Sequence, residues 1–230
     1  EYVTLLMDPR VERLRAEAPE AAVLVADDQS PDGTGAVVKQ AAARDPRVNL
    51  LSRTGPRGYG HAMLEGFRWA LDHGAERLVT LDADFSHDPA AVPALFAALE
   101  DGADAALGSR FKDGVRILNW EMSRLLLSLG ANQYVRMALR LPYCDCTSGF
   151  RGYRAAALRE ILERGVRSRG YSFLVEILFW LHRARLRIVE VPIVYSERRR
   201  GQSKMSKAIM FEAALNPWRL WIESLFRRRR

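Results

Sequence analysis

Two acid pairs dominate the chemistry this sequence offers. Asp27-Asp28 closes the apolar run Val23–Ala26, and Asp82-Ala83-Asp84 closes Leu78–Leu81. An acid pair just past a buried strand suits a hard divalent cation, Mg2+ or Mn2+, which takes oxygen ligands and shares them with substrate phosphates. The plainer use is that Asp84 or Asp88 caps the helix that Pro89 opens. The strand-end setting favours the metal. Asp27 also suits the hydrogen-bond donors of a nucleobase or ribose. Arg57-Gly58-Tyr59-Gly60 opens a helix, with glycines where backbone must approach a ligand and N–H groups suited to an anion. Arg110 follows Gly108-Ser109 at another strand end, where its guanidinium fork suits a phosphate.

Residues this far apart need a scaffold that gathers strand ends. Val23–Ala26, Val48–Ser52, Leu78–Leu81, Ala103–Gly108 and Arg187–Val194 read as strands. Gly60–His73, Asn119–Leu139, Ser172–Arg183 and a stretch from Pro89 to Leu99 read as helices. The alternation predicts an α/β fold of βαβ units around a mainly parallel sheet, which binds ligands at its carboxyl edge. Phe179, Trp180 and Leu181 are assigned to the core. So are Leu125, Leu126, Leu127 and Leu129, with a membrane surface as the alternative for that helix. Glu176 reads either as a buried hydrogen-bonding acid or as a support for the site residues, with support preferred, and His61 and His87 read as helix-start polar residues. Arg136, Arg140, Arg159 and Arg164 read as solvated.

The 230 residues, 48% hydrophobic and 27% charged, supply one well-buried core. No uncharged apolar stretch reaches the ~20 residues of a spanning helix. Cys144 and Cys146 read as two reduced thiols, and the four His are not spaced to complete a zinc site. The chain opens on Glu1 rather than Met, which leaves room for a native start upstream.

The net charge of +7 is uneven along the chain. Residues 183–230 hold 13 Lys/Arg against 4 Asp/Glu, while residues 1–182 hold 22 against 24. Within that basic end, Ser206–Phe226 reads as an amphipathic helix bent at Pro217. Its stripe is Met210, Ala214, Trp218, Trp221, Ile222 and Leu225, beside Arg219 and the Arg227–Arg230 run. Trp among aliphatics next to arginines is the mixture of an interfacial anchor, so the expected partner is a membrane surface and not nucleic acid. The chain divides into an α/β domain over 1–205, the part that would carry any catalysis, and a membrane-proximal helix over 206–230. Deleting Asn216–Arg230 is expected to weaken binding to anionic liposomes and to leave ligand binding at the strand ends largely unchanged.

The segments DDQSPDGT, RGYGHAMLEGF, TLDADFSHDP, LGSRF, the series Trp120, Arg124, Ser128, Asn132, then DCTSGFRGY, GYSFLVEI and EVPIVYSERRRGQSK occur in that order. Together they resemble the polyprenol (dolichol) phosphate mannosyltransferases of glycosyltransferase family 2, from about Val23 to Lys204. The resemblance implies a GT-A-like, Rossmann-type nucleotide-sugar-binding fold, a donor that is usually GDP-mannose, Mg2+ or Mn2+, and a polyprenyl-phosphate acceptor. It implies metal positions at Asp82, Asp84 and Ser86, and nucleotide-sugar contacts at Asp27, Asp28, Arg57, Gly58, Asp82 and Ala83. Arg110, Arg124, Ser128, Arg198 and Lys204 match positions that handle donor and acceptor phosphates, with Asp84, Arg110, Arg124 and Arg198 as the catalytic set. The family's first strand and its PTYNE-like segment have no counterpart, and Glu1 stands where that segment would end.

The implied reaction is inverting mannosyl transfer at the cytoplasmic face of a membrane. A phosphate monoester with a second pKa near ~6 is already a nucleophile at neutral pH, which fits a sequence without a prominent His–carboxylate pair. A UDP-sugar-dependent hexosyltransferase is the alternative within the class. A non-catalytic nucleotide- or lipid-binding module is the alternative outside it.

Overall fold

The structure, a computed structural model, describes residues 21–84, 86–168, 170–197 and 207–227. Strands β1 (Val23–Asp27) and β2 (Val48–Ser52) pair in parallel, joined by helix α1 (Thr34–Arg44). Val25, Val38 and Val48 bury a small cluster between them. Helix α2 (Tyr59–Asp72) follows, burying Phe67 and Leu71 on its apolar face. Strand β3 (Arg77–Thr80) leads through a 3-10 turn at Pro89–Ala91 into α3 (Val92–Glu100) and then β4 (Ala105–Ser109), which is buried throughout.

The second half adds β5 (Ile117–Leu118), α4 (Met122–Leu139), β6 (Arg151–Arg154), α5 (Ala155–Glu163), α6 (Ser172–Arg183), β7 (Ile188–Pro192), β8 (Tyr195–Ser196) and α7 (Lys207–Arg227). The main sheet runs β3-β6-β4-β7. β4 and β7 are parallel, and β6 runs antiparallel to both its neighbours. A two-residue ladder of β5 with β8 brings the 195–197 segment beside the start of α4.

The α/β layout is the expected one, but the sheet is mixed because of β6, which the sequence reading misses along with α5. The cause is visible in Arg-Gly-Tyr-Arg: four residues with two arginines carry no apolar run to read. Arg151 is fully buried because its guanidinium donates to the carbonyls of Ser148, Cys146 and Leu174. The neighbouring approach of Phe150 to β4 needs a glycine. A Cβ on Gly108 would stand 2.8 Å from the Phe150 carbonyl oxygen.

The main core gathers around α6, where Phe179, Trp180 and Leu181 are buried as expected. Cys144 and Cys146 are free thiols. For α4 the core assignment is corrected. Val135 and Leu139 are buried and Leu125 and Leu129 half-buried, but Leu126 is 60% and Leu127 51% exposed. This helix leans on the body by one narrow face and lies against α7, where the Tyr134 hydroxyl donates to the Ala214 carbonyl.

Helix α7 continues through Pro217. It turns Asn216, Pro217, Leu220 and Ser224 inward. Phe211, Leu215, Trp218, Trp221, Ile222, Leu225 and Phe226 are left outside. No helix among the described residues is long and apolar enough to cross a membrane.

Candidate active site

The turn after β3 carries Asp82 and Asp84. Asp88, not Asp84, caps the helical turn that follows, accepting from the N–H of Ala90. Asp84 accepts instead from the N–H and hydroxyl of Ser86, a buried serine that fixes the direction of the carboxylate. His87 is buried, its Nδ1 accepting from the Asp82 N–H at 3.0 Å. Its ring stacks on Phe150 and meets Tyr195 edge-on. Burial pushes the His87 pKa down, against the pull of Asp82, so the imidazole is held neutral. This goes beyond the helix-start role read from sequence.

Tyr195 is the ring on which the other site residues converge. Trp120 packs edge-on against it at 5.4 Å, and the Arg124 guanidinium lies 4.1 Å over the Trp120 ring. The Arg110 guanidinium lies 5.5 Å from the Tyr195 centroid. One aromatic chain therefore links the Asp82 turn, Arg110 and Arg124, which stand 42 residues apart in sequence at their extremes.

Arg110 is buried and its fork is filled: Nε and Nη2 bond Asp145 at 2.7 and 2.8 Å, and Nη2 also reaches Thr147. Asp145 accepts further from the N–H groups of Arg110, Thr147 and Ser148. Burial alone would raise the Asp145 pKa, but the Arg110 charge and these donors hold it below the ordinary carboxylate value. Arg110 thus stands as a preset, oriented charge. Arg124 is part-exposed and pairs with Glu197 at 3.0 Å. Ser128 follows one turn later on α4, half-buried. Asn132, a further turn along, is buried, and its amide bonds the Cys144 carbonyl and the Cys146 N–H.

At the end of β1, Asp27 is buried and both its carboxylate oxygens accept from the Ser30 N–H, which orders the loop into α1. Asp28 pairs with the buried Arg53 and accepts from the Gly58 N–H. That N–H, read as a donor to a ligand anion, is thus taken by Asp28. Arg53 also bonds Glu65 at 2.7 Å. Arg57 is exposed beside the Gln29 carbonyl. The next residue after Gly58 spans to the other acid pair. A Cβ on Gly149 would stand 2.9 Å from the Tyr59 hydroxyl, so a glycine leaves that group its place, and an Asp82 oxygen lies on the same side at an ordinary contact distance of 3.9 Å. Burial and the Asp82 charge raise the Tyr59 pKa well above its ordinary value.

Asp145, Tyr195, Arg53 and Tyr59 are site-building residues the sequence reading passes over. Asp145, Tyr195 and Tyr59 carried a signal, as members of the DCTSGFRGY, EVPIVYSERRRGQSK and RGYGHAMLEGF segments, and Arg53 carried none. Arg198, Lys204, the Met210 side chain and the Arg227–Arg230 side chains lie outside the described residues. Of the two readings of Glu176, the contacts show the buried hydrogen-bonding acid: its partners join α6 to α7 and the 167–168 backbone, and none of them is a predicted site residue.

Asp82 and Asp84 fit a divalent cation by donor chemistry: hard oxygens at a strand end, the Asp82 side chain 41% exposed. Among the described residues no group of three or more His, Cys, Asp or Glu forms a closed metal cluster.

The model of the family described as Glycosyl transferase family 2 matches residues 7–162. The chain is 46% identical over 204 residues to the undecaprenyl-phosphate mannosyltransferase of Micrococcus luteus, covering 89% of this chain and 84% of that protein. It is 42% identical to the polyprenol monophosphomannose synthase of Mycolicibacterium smegmatis, covering 88% and 77%. It is 34% identical to the dolichol-phosphate mannosyltransferase of Pyrococcus furiosus, covering 86% of this chain and 54% of that one. Among solved structures, glucosyl-3-phosphoglycerate synthase from Mycobacterium tuberculosis with Mn2+, uridine diphosphate and phosphoglyceric acid superposes with a TM-score of 0.62. That match covers 86% of this chain and 67% of that one at 16% identity, a likeness of fold. The fold is GT-A-like.

Proposed function

This chain belongs to glycosyl transferase family 2, and on that premise we propose that it transfers mannose from GDP-mannose to a polyprenyl phosphate at a membrane surface. The likeness to mannosyltransferases over most of the chain carries the reading. The gathering of Asp82, Arg110 and Arg124 around His87, Trp120 and Tyr195 supports it.

In this reading Asp82 and Asp84 hold Mg2+ or Mn2+, with Ser86 orienting Asp84. The cation, when bound, supplies positive charge against the departing diphosphate. Asp27, Asp28, Arg57, Gly58 and Ala83 frame the nucleotide, Asp28 by fixing the Gly58 turn. Arg110, immobilised by Asp145, is a preorganised charge that costs no reorientation as the leaving group ionises. Arg124 and Ser128, one helical turn apart, face the acceptor phosphate, and Arg198 and Lys204 complete that set. The acceptor oxyanion attacks the anomeric carbon in line, so an α-linked donor gives a β-linked product. No dedicated base is needed, and His87, neutral with Nδ1 already occupied, has no free acceptor at that nitrogen.

The exposed apolar faces of α4 and α7 suit peripheral docking on the lipid surface that carries the acceptor. The basic C-terminal end suits the anionic cytoplasmic leaflet. The test is a panel of radiolabelled GDP-mannose and UDP-sugars against a short polyprenyl phosphate, with and without EDTA. Label is expected in lipid from GDP-mannose alone, and none with EDTA. Transfer from a UDP-sugar alone would replace the donor, and nucleotide binding without transfer from any donor would make the chain a binding module.

A further inference from the structure

The inner face of α7 differs in kind from its apolar outer face. Asn216 accepts from the Ser168 hydroxyl at 3.3 Å and donates to the Ser172 carbonyl. Arg219 donates to the Ser168 hydroxyl at 2.8 Å and to the Glu176 carboxylate at 2.9 Å. Glu176, fully buried on α6, also takes the N–H groups of Arg167 and Ser168. Arg167 reaches back to Glu223 on α7. The backbone at Arg167, Ser168 and Ser172 is therefore held between two helices by a polar network with Glu176 at its centre.

Tyr171 lies in that segment. Its ring stacks on Tyr59, with centroids 5.3 Å apart and planes 21° from parallel. Tyr59 opens α2 next to Gly58, and its hydroxyl shares the open side of Gly149 with Asp82. Tyr171 thus reaches toward the Asp82 turn through Tyr59, whose hydroxyl and an Asp82 oxygen both lie within 4 Å of the open side of Gly149.

We propose that Arg219 is a positioning residue for the nucleotide-sugar site, acting through Glu176, the backbone of Arg167, Ser168 and Ser172, and the rings of Tyr171 and Tyr59; this rests on the reading of Asp82 as part of that site. The physical reason is the buried carboxylate. With Arg219 seated, Glu176 has a counter-charge and can hold the 167–168 backbone. With Arg219 gone, a buried charge is left with amide donors only, and the segment must rearrange to hydrate it. Tyr171 moves with that backbone, and its stacking on Tyr59 at the start of α2 is lost. Helix α7 then has two faces with two tasks: the outer one meets lipid, the inner one fixes the donor site. This departs from the expectation that the helix is only a separable anchor.

The experiment uses the full chain in lipid-free buffer, with GDP and Mn2+ as the probe and amide hydrogen exchange as an independent readout. Arg219→Met is expected to weaken GDP–Mn2+ binding by about 5-fold, a typical size for coupling through packed side chains. Arg219→Lys should recover most of it, and Arg164→Met, which removes an arginine of similar exposure, should change nothing. Exchange in Arg219→Met should quicken at 58–62 and 82–87 as well as at 167–172. Tyr171→Leu, which leaves Glu176 paired, should weaken nucleotide binding while 167–168 stay protected, and it serves if Arg219→Met does not fold. Faster exchange confined to 167–172, or unchanged binding in both variants, overturns the proposal. A parent chain that binds no GDP–Mn2+ overturns the donor reading instead, and the exchange result still decides the coupling.

Discussion

The backbone N–H of Asp82 donates to Nδ1 of His87 across 3.0 Å, inside a pocket closed by Phe150 and Tyr195. A ring nitrogen that accepts carries no proton, so His87 is the tautomer protonated on Nε2. The bond closes the 82–87 turn on itself and fixes where the Asp82 and Asp84 carboxylates leave the backbone.

Replacing His87 with Phe keeps the ring stacking and orphans the Asp82 N–H, a loss of about 1–3 kcal/mol. Transfer by His87→Phe is expected to require more Mn2+ for half-maximal rate than the parent, with the donor KM less affected. His87→Asn, whose carbonyl can accept, should lie between. Steady-state rates over a Mn2+ titration check this; an unchanged titration would leave His87 with packing alone.

Asp82→Asn and Asp84→Asn should each abolish transfer at saturating Mg2+ or Mn2+ while the circular dichroism spectrum stays that of the parent. Each removes one charged oxygen ligand without changing side-chain size. Near-parent turnover in either variant would show that the cation is held elsewhere.

Asp145 and Arg110 give a pH signature of stability. The folded Asp145 pKa is depressed, so its contribution is present above the unfolded value of about 3.9 and fades as pH falls through the folded one. Asp145→Asn should cost about 3–5 kcal/mol near neutral pH, because it leaves the buried Arg110 without its counter-charge. In urea unfolding at several pH values, the gap between parent and variant should be constant from pH 8 to 5 and narrow below about 4. A gap that persists undiminished at pH 3 would trace the loss to packing.

Arg124→Ala should lower transfer far more than Arg164→Ala. A lost charge-assisted bond to phosphate is worth roughly 1.5–3 kcal/mol, or about ten- to a hundredfold in rate. Arg159, read from sequence as solvated, is no neutral control, because it donates to the Leu71 carbonyl at the end of α2. Equal small effects at 124 and 164 would return Arg124 to the role of a surface ion-pair partner of Glu197.

Trp218→Ser with Trp221→Ser should weaken co-sedimentation with anionic liposomes, since both rings point outward from α7 at 56% and 47% exposure. Binding by the parent should fall as salt rises, each basic residue near the surface contributing about 1 kcal/mol at low salt. If the double variant sediments like the parent, the exposed Leu126, Leu127 and Met137 of α4 become the docking face.

Much of the scaffold is legible because its signals are local. The apolar runs that end in Asp27-Asp28 and in Asp82-Ala83-Asp84 mark β1 and the turn after β3. Pro89 and Asp88 mark the next helical start, and the aliphatic density of Ser172–Arg183 marks a helix buried on every side. β6 stays hidden because its burial depends on carbonyls supplied by the preceding loop and by α6, which no window of sequence contains.

The sequence by itself determined the α/β class, the two acid pairs, the arginines near them and the amphipathic character of the last helix. Composition, spacing and strand-end position need only neighbouring residues to be read. Tertiary structure decided which of these groups are occupied and which way they face. Arg110 meets Asp145 across 35 residues, Arg124 joins the site through Trp120 and Tyr195, and Asn216 and Arg219 turn inward to Ser168 and Glu176. The periodicity of α7 specifies two faces and leaves open which one is buried. The bonds of Asn216 and Arg219 to Ser168, Ser172 and Glu176 are what turn their face inward, because these partners come from α6 and the segment before it and not from α7 itself.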